Sequence, residues 1–263
     1  MTLQPKLVLF DIDGTLLDDR HQIPASTKKA VRLLQDAGIH TAIATGRTPS
    51  TFDWVRDELG IDSYVSINGQ YVVHRGELIY ENPIAVQMLH ELSEFAVKSG
   101  HATAYCGVNE VCASLLDHPL IHAGFSSVDM SYPPVDPYYY KHSPVYQGNV
   151  FIPAAEQPLY EAQFPTLRFI RWHEQAVDFL PAGSSKAAGI GYLLQAFGVQ
   201  PHECAAFGDG MNDIEMLGHV GIGIAMGNGC AEAKEAAKHI TASSSEHGIW
   251  SALHLLGLPQ HAY

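Results

Sequence analysis

Short apolar, β-forming runs alternate with amphipathic helical stretches at both ends of this 263-residue chain, and the alternation fails in the middle. Leu7–Phe10 is the first such run. Residues 24–38 follow with apolar positions at Ala30, Val31, Leu33, Leu34 and Ala37, and they close on Gly38, a helix stop. A strand is expected over 41–45, a helix over 49–59, a strand over 64–67, and a hairpin turning at Gly76. The alternation resumes with a helix at 186–197, a strand at 204–207, a short helix at 214–217, a strand at 221–225 and a helix at 230–237. Ile240 starts a last strand and 248–256 a last helix. Strands separated by helices build a parallel sheet with right-handed crossovers.

The middle reads differently. Residues 83–99 and 156–164 suit helices, and 103–106, 111–114, 150–152, 167–172 and 177–180 suit strands. Residues 131–146 are rich in Pro and Tyr and look irregular. The expected fold is therefore α/β: a Rossmann-like, doubly wound parallel sheet core from residues 1–82 and 182–263. An α+β domain of residues 83–181 is inserted in it.

Asp and Glu number 28 against 15 Lys and Arg, a net charge of −13. A general nucleic-acid binder needs a basic face to displace counterions, and an anionic membrane needs one to dock on, so both partners are expected to be absent. A small anionic substrate remains open, because a metal ion reverses the local sign. Four cysteines without a CxxC pair do not make a disulfide framework. With no signal-like N-terminus and no apolar run near the ~18–20 residues of a membrane span, the expected location is the cytoplasm.

Four polar clusters fall at strand ends or helix starts of the split core, where open α/β sheets bind ligands. They are Asp11-Ile12-Asp13-Gly14-Thr15, Thr45-Gly46-Arg47, Ser184-Ser185-Lys186 and Gly208-Asp209-Gly210-Met211-Asn212-Asp213. Asp11 and Asp13, two apart after a strand, are expected to point the same way. Carboxylates from two strand ends repel unless a cation sits between them, and a hard oxygen site with room for water suits Mg²⁺. Thr45 offers a hydroxyl and nearby amides to a phosphate. Lys186 opens a helix, where its charge opposes the dipole unless an anion is near. Taken singly, each cluster also suits a solvated turn, a helix cap or a surface lysine.

Together, in this order, the clusters resemble the motifs of the haloacid dehalogenase-like phosphohydrolases. FDIDGTLLDD, ATGR, SINGQ, PAGSSKAAG, FGDGMNDIEML and GIAMGNG are similar in style to the Cof-type family, whose class IIB cap is inserted between the second and third motifs. The resemblance implies Mg²⁺-dependent hydrolysis of a small phosphorylated metabolite, such as a sugar phosphate or nucleotide-like ester, by a cytoplasmic monomer or homodimer. It implies Asp11 as nucleophile, through an aspartyl-phosphate, and Asp13 as general acid and base. Asp11, Asp209 and the backbone carbonyl of Asp13 would be metal ligands, with Asp213 orienting the metal's waters. Thr45, Gly46, Lys186 and Asn212 would hold the phosphoryl group. The Asp11 pKa is expected to be lowered by the metal. Ala187 and Gln70 stand where the family more often has Gly and Ala, away from this chemistry.

The same resemblance makes the insert a cap that selects the leaving group. Arg168, Arg171, Trp172 and His173 near its last hairpin are candidate contacts, although alternating large residues on a strand commonly pack. Tyr138-Tyr139-Tyr140 suits either a recognition surface or a loop packed on itself. His118 and His122 have the spacing of a metal pair, but Pro119 lies between them and no third ligand is evident, so an ordinary surface pair is expected. Two other activities stay open: a phosphotransferase or phosphomutase of the same architecture, and a non-catalytic phosphometabolite-binding protein.

Overall fold

The structure, a computed structural model, describes residues 4–128 and 130–258. Its strands are β1 (Leu7–Phe10), β2 (His40–Ala44), β3 (Tyr64–Ser66), β4 (Tyr71–His74), β5 (Glu77–Glu81), β6 (Ala102–Cys106), β7 (Val111–Ala113), β8 (Gln147–Phe151), β9 (Leu167–His173), β10 (Ala176–Pro181), β11 (Cys204–Gly208), β12 (Ile222–Ala225) and β13 (His239–Ile240). Its helices are α1 (Ala25–Asp36), α2 (Asp53–Leu59), α3 (Val86–Ser99), α4 (Pro119–Ser126), α5 (Gln157–Gln163), α6 (Lys186–Phe197), α7 (Ile214–His219), α8 (Ala231–Ala236) and α9 (Gly248–Ser251). The chain divides into two units. The first holds the described residues up to Arg47, then Thr51–Glu81, then those from Ser185 onward; the second holds Thr48–Ser50 and Asn82–Ser184.

The first unit is built on one sheet, ordered β13-β12-β11-β1-β2-β3-β4-β5. The run from β13 to β3 is parallel, and β4 and β5 add an antiparallel hairpin at the edge. Side chains alternate across a strand, so β1 feeds two cores at once. Val8 and Phe10 pack with Val31 and Leu34 of α1, Val55 of α2 and Ile249 of α9. Leu7 and Leu9 pack with Ile190 and Leu193 of α6, Leu217 of α7 and Ala233 of α8. Helices on both faces bury β1 and β11 completely, which is why they read as unbroken apolar runs. Successive strands step outward in opposite directions from β1 and β11, so the switch point of the sheet lies between these two neighbours.

The second unit carries an antiparallel sheet ordered β7-β6-β8-β10-β9. One face packs on Leu89 and Leu92 of α3 and Tyr160 of α5, the other on Ile121 and Phe125 of α4. The sequence pattern left α4 unassigned; Pro119 sits at its first turn, where the missing N–H costs nothing. The expected strand at 150–152 starts earlier, at Gln147. The expected helix at 49–59 is a tight turn, Pro49–Thr51, and then α2. Within 131–146, Tyr139 and Tyr140 are buried in the core while Tyr138 is exposed beneath Lys141. Arg171 serves the fold: it donates to the carbonyls of Ile152, His173 and Glu174 and to Gln157. Arg168 donates to the Ser184 carbonyl, and Trp172 packs beside Phe151 and Ala176. No helix among the described residues is long and apolar enough to cross a membrane.

Candidate active site

Asp11 follows the last residue of β1, and Asp209 follows the last residue of β11. The two carboxylates therefore meet across the switch point. Beyond Asp11 the chain stops being extended and closes a wide turn over Ile12–Leu16, with the Leu17 N–H donating to the Ile12 carbonyl (2.9 Å). Gly14 enters the left-handed region there (φ +68°), and a Cβ at this position would run into the Asp209 carboxylate. The turn redirects Asp13. Asp11 and Asp13 do not point the same way, as their spacing suggested: Asp11 is buried against Lys186, whereas Asp13 is half exposed and held by Arg47.

Lys186 is the first residue of α6, and its side chain is fully buried. Ser185 caps the helix, its hydroxyl accepting from the Ala188 N–H (3.2 Å). Helix α6 reaches the site because Gly189 lies against Gly69, too close for a side chain on either. Lys186 Nζ donates to Asp11 Oδ1 (2.5 Å) and Asp213 Oδ1 (2.7 Å). These are the anions its position against the helix dipole required. Burial opposes its charge, but Asp11 and Asp213 outweigh burial and hold its pKa above the ordinary lysine value.

Asp213 could have capped α7; it serves the loop instead. Its Oδ2 accepts from the N–H groups of Asp209 and Gly210, both at 2.9 Å. With Oδ1 on Lys186, both oxygens are engaged. Asp11, Asp209 and Asp213 each bring an oxygen within 4.8 Å of one another, the one such group of three or more His, Cys, Asp or Glu side chains among the described residues. His122 instead bonds Asp117 (2.8 Å).

Electrostatics favour a cation in this group. Burial comes first among the causes that raise the Asp11 pKa well above the usual carboxylate range; Asp213 and Asp209 add to it and Lys186 opposes it. Burial, then repulsion by Asp213, push Asp209 up to about 6. The expected lowering of Asp11 is thus not a property of the protein groups themselves. A hard divalent ion held by the Asp11 and Asp209 carboxylates would supply it, and oxygen donors of this kind fit Mg²⁺.

Thr45 follows β2, its N–H bonded to the Val65 carbonyl and its hydroxyl accepting from the Arg47 N–H (3.1 Å). Asn212 Nδ2 donates to Asn68 Oδ1 (3.2 Å), and both amides border Gly46. The first unit thus gathers Asp11, Asp13, Thr45, Gly46, Lys186, Asp209, Asn212 and Asp213 at one edge of its sheet. Three contributors carried no assigned role in the sequence reading. Thr15 donates to Asp209 Oδ1 (3.1 Å), Asn228 donates to the Gly14 carbonyl (2.8 Å), and Arg47 binds Asp13. Asn228 was findable: Gly227-Asn228-Gly229 follows β12 at the same edge of the sheet.

A doubly wound sheet with this acid-and-lysine group at its switch point defines a hydrolase of the phosphatase class. The chain belongs to the haloacid dehalogenase-like hydrolase family, whose model it matches over residues 8–253. It is 39% identical to "Putative phosphatase YkrA" of Bacillus subtilis (strain 168) over 97% of this chain and 99% of that one. Phosphatase BT1666 from Bacteroides thetaiotaomicron superposes with a TM-score of 0.89 at 30% identity, over 96% of this chain and 95% of that one. The subclass IIB sugar phosphatase BT4131 does so with a TM-score of 0.84 at 30% identity, over 96% and 99% of the two chains.

Proposed function

We propose that the protein is a Mg²⁺-dependent hydrolase of small phosphomonoesters that works through an aspartyl-phosphate on Asp11. The observation that carries the reading is the buried Lys186 bridging Asp11 and Asp213, beside an Asp209 that burial and repulsion leave in need of a cation. Asp11 Oδ attacks phosphorus as the ester oxygen leaves, and Asp13 gives that oxygen its proton. Asp13 then takes a proton from water as it attacks the phosphorus of the acyl phosphate, which frees Asp11 and inorganic phosphate. Lys186 has three N–H donors; two hold carboxylates and the third faces a phosphoryl oxygen. Thr45, Gly46 and Asn212 hold the remaining phosphoryl oxygens. Asp11, Asp209 and the Asp13 carbonyl are the proposed metal ligands, and Asp213, with both oxygens engaged, orients them from behind. When bound, Mg²⁺ supplies the positive charge that lets two buried carboxylates and a phosphoryl group share one site.

We assign the second unit, as a cap, to selection of the leaving group, and take sugar phosphates as the first esters to screen, a relative of similar fold being a sugar phosphatase. The test is p-nitrophenyl phosphate hydrolysis with Mg²⁺ or with EDTA, by the native chain and by Asp11→Asn. Turnover that needs the metal and vanishes in the variant supports the reading. Turnover that survives both treatments removes it.

A further inference from the structure

We propose that Arg47 is a positioning residue for Asp13, so that one short loop sets both where the phosphoryl group sits and where its proton donor sits. The proposal rests on the acid–base role given to Asp13 above. Arg47 Nε–H donates to Asp13 Oδ2 (2.8 Å), and its terminal N–H donates to Oδ1 (2.6 Å). This is a two-pronged fork, and it fixes the plane of the carboxylate as a single bond would not. The fork itself stands on a fixed backbone. The Arg47 N–H is tied to the Thr45 hydroxyl (3.1 Å), and its carbonyl accepts from the Ile67 N–H (3.1 Å). Thr45 and Gly46 are the proposed phosphoryl holders, two residues and one residue away. The loop therefore transmits a single position to both groups.

Asp13 needs such a clamp. Its side chain is 52% exposed, unlike Asp11, which is packed against Lys186 at 8%. An exposed carboxylate on a turn sweeps through several rotamers, and a proton donor works only within hydrogen-bond reach of the oxygen it serves. The clamp does not consume Asp13, because the fork takes one lone-pair site on each oxygen and leaves a second site on each for the proton that Asp13 passes on. Nor does the pair exist for the sake of the fold, since ion pairs this exposed add little to stability. Its loss is therefore expected to fall on the rate and to leave the melting temperature unchanged.

The experiment compares the native chain, Arg47→Ala, Arg47→Lys, Asp13→Asn and the double variant with Mg²⁺. Each is assayed on p-nitrophenyl phosphate, whose leaving group needs little protonation, and on glucose 6-phosphate, whose alkoxide needs a proton. The readout is kcat/KM, which reports transfer to Asp11. Arg47→Ala is expected to lower it about 10- to 100-fold on the sugar ester, part of the ~10²–10⁴-fold a general acid contributes. On the aryl ester the loss is expected to be roughly a tenth as large. The double variant is expected to be within about 2-fold of Asp13→Asn, because residues acting as one unit are not additive. Arg47→Lys restores activity only in part, since an ammonium cannot form the fork. Equal losses on the two esters, or losses that multiply in the double variant, would make Arg47 a phosphate contact and overturn the proposal alone. No turnover of either ester by the native chain removes the phosphatase reading beneath it, and the proposal with it.

Discussion

Lys186 Nζ and Asp213 Oδ1 stand 2.7 Å apart, and neither side chain is exposed to solvent at all. They are 27 residues apart in sequence and sit on different elements, α6 and the turn before α7. An ion pair so deeply buried is a poor device for stability alone, because the desolvation of both charges offsets their attraction. Its partners explain it. Lys186 also holds Asp11, and Asp213 also holds the loop that carries Asp209.

Removing one partner from such a group leaves charge buried without compensation. Lys186→Met is expected to lower the unfolding free energy at pH 7.5 by about 3–5 kcal/mol, the usual cost of breaking a buried pair. The loss is expected to be smaller at pH 5, since burial raises the Asp11 pKa and a lower pH favours the proton that removes its uncompensated charge. Urea unfolding at the two pH values measures both. An equal loss at each pH would show that the carboxylates do not depend on the lysine for their charge.

Asp209 gives the metal-free protein a pH signature. Its pKa is raised from 3.8 to about 6, so its contribution to stability is fully present below pH 3.8 and is lost as the pH rises through 6. In EDTA, the native chain should lose more stability than Asp209→Asn between pH 5 and pH 7.5. Mg²⁺ binds the ionised form, so it should raise the melting temperature of the native chain more at the higher pH and leave the variant unmoved. Identical slopes for the two chains in EDTA would sink this account.

Gly14 tolerates no side chain. Alanine there would adopt a left-handed conformation, costing about 1–2 kcal/mol, and would press on the Asp209 carboxylate. Gly14→Ala should fold with a modestly lower melting temperature, lose at least about tenfold in kcat, and need more Mg²⁺ for half-maximal rate. A variant with native Mg²⁺ dependence would separate the turn from the metal site.

Arg171 tests the other unit. Its guanidinium holds three backbone carbonyls and Gln157. Arg171→Ala should cost about 2–3 kcal/mol in stability, as expected for losing charge-assisted hydrogen bonds. Its kcat on p-nitrophenyl phosphate should stay native below the unfolding transition. A large rise in KM with unchanged stability would instead return Arg171 to the list of substrate contacts.

The layout of the first unit was open to reading from local chemistry. Apolar runs such as Leu7–Phe10 are strands because both their faces are buried, and period and burial are written in the residues. The polar clusters stand at strand ends because backbone turns there need Gly, Asp and Thr. Helix α4 was not legible, since it is only eight residues long and Pro119 reads equally as a break or a start. Nor were the pairings within the site. Spacing put Asp11 with Asp13, and the turn at Gly14 put one on Lys186 and the other on Arg47. Local spacing left Asp213 open to a helix-cap role as well, and long-range packing gave it to Lys186. The physical reason is range. Periodicity and turn chemistry act over a few residues and are carried by the chain wherever it goes. Which charges share a buried space depends on strand order and on how closely α6 meets the loop at Gly69, and both exist only once the sheet has formed.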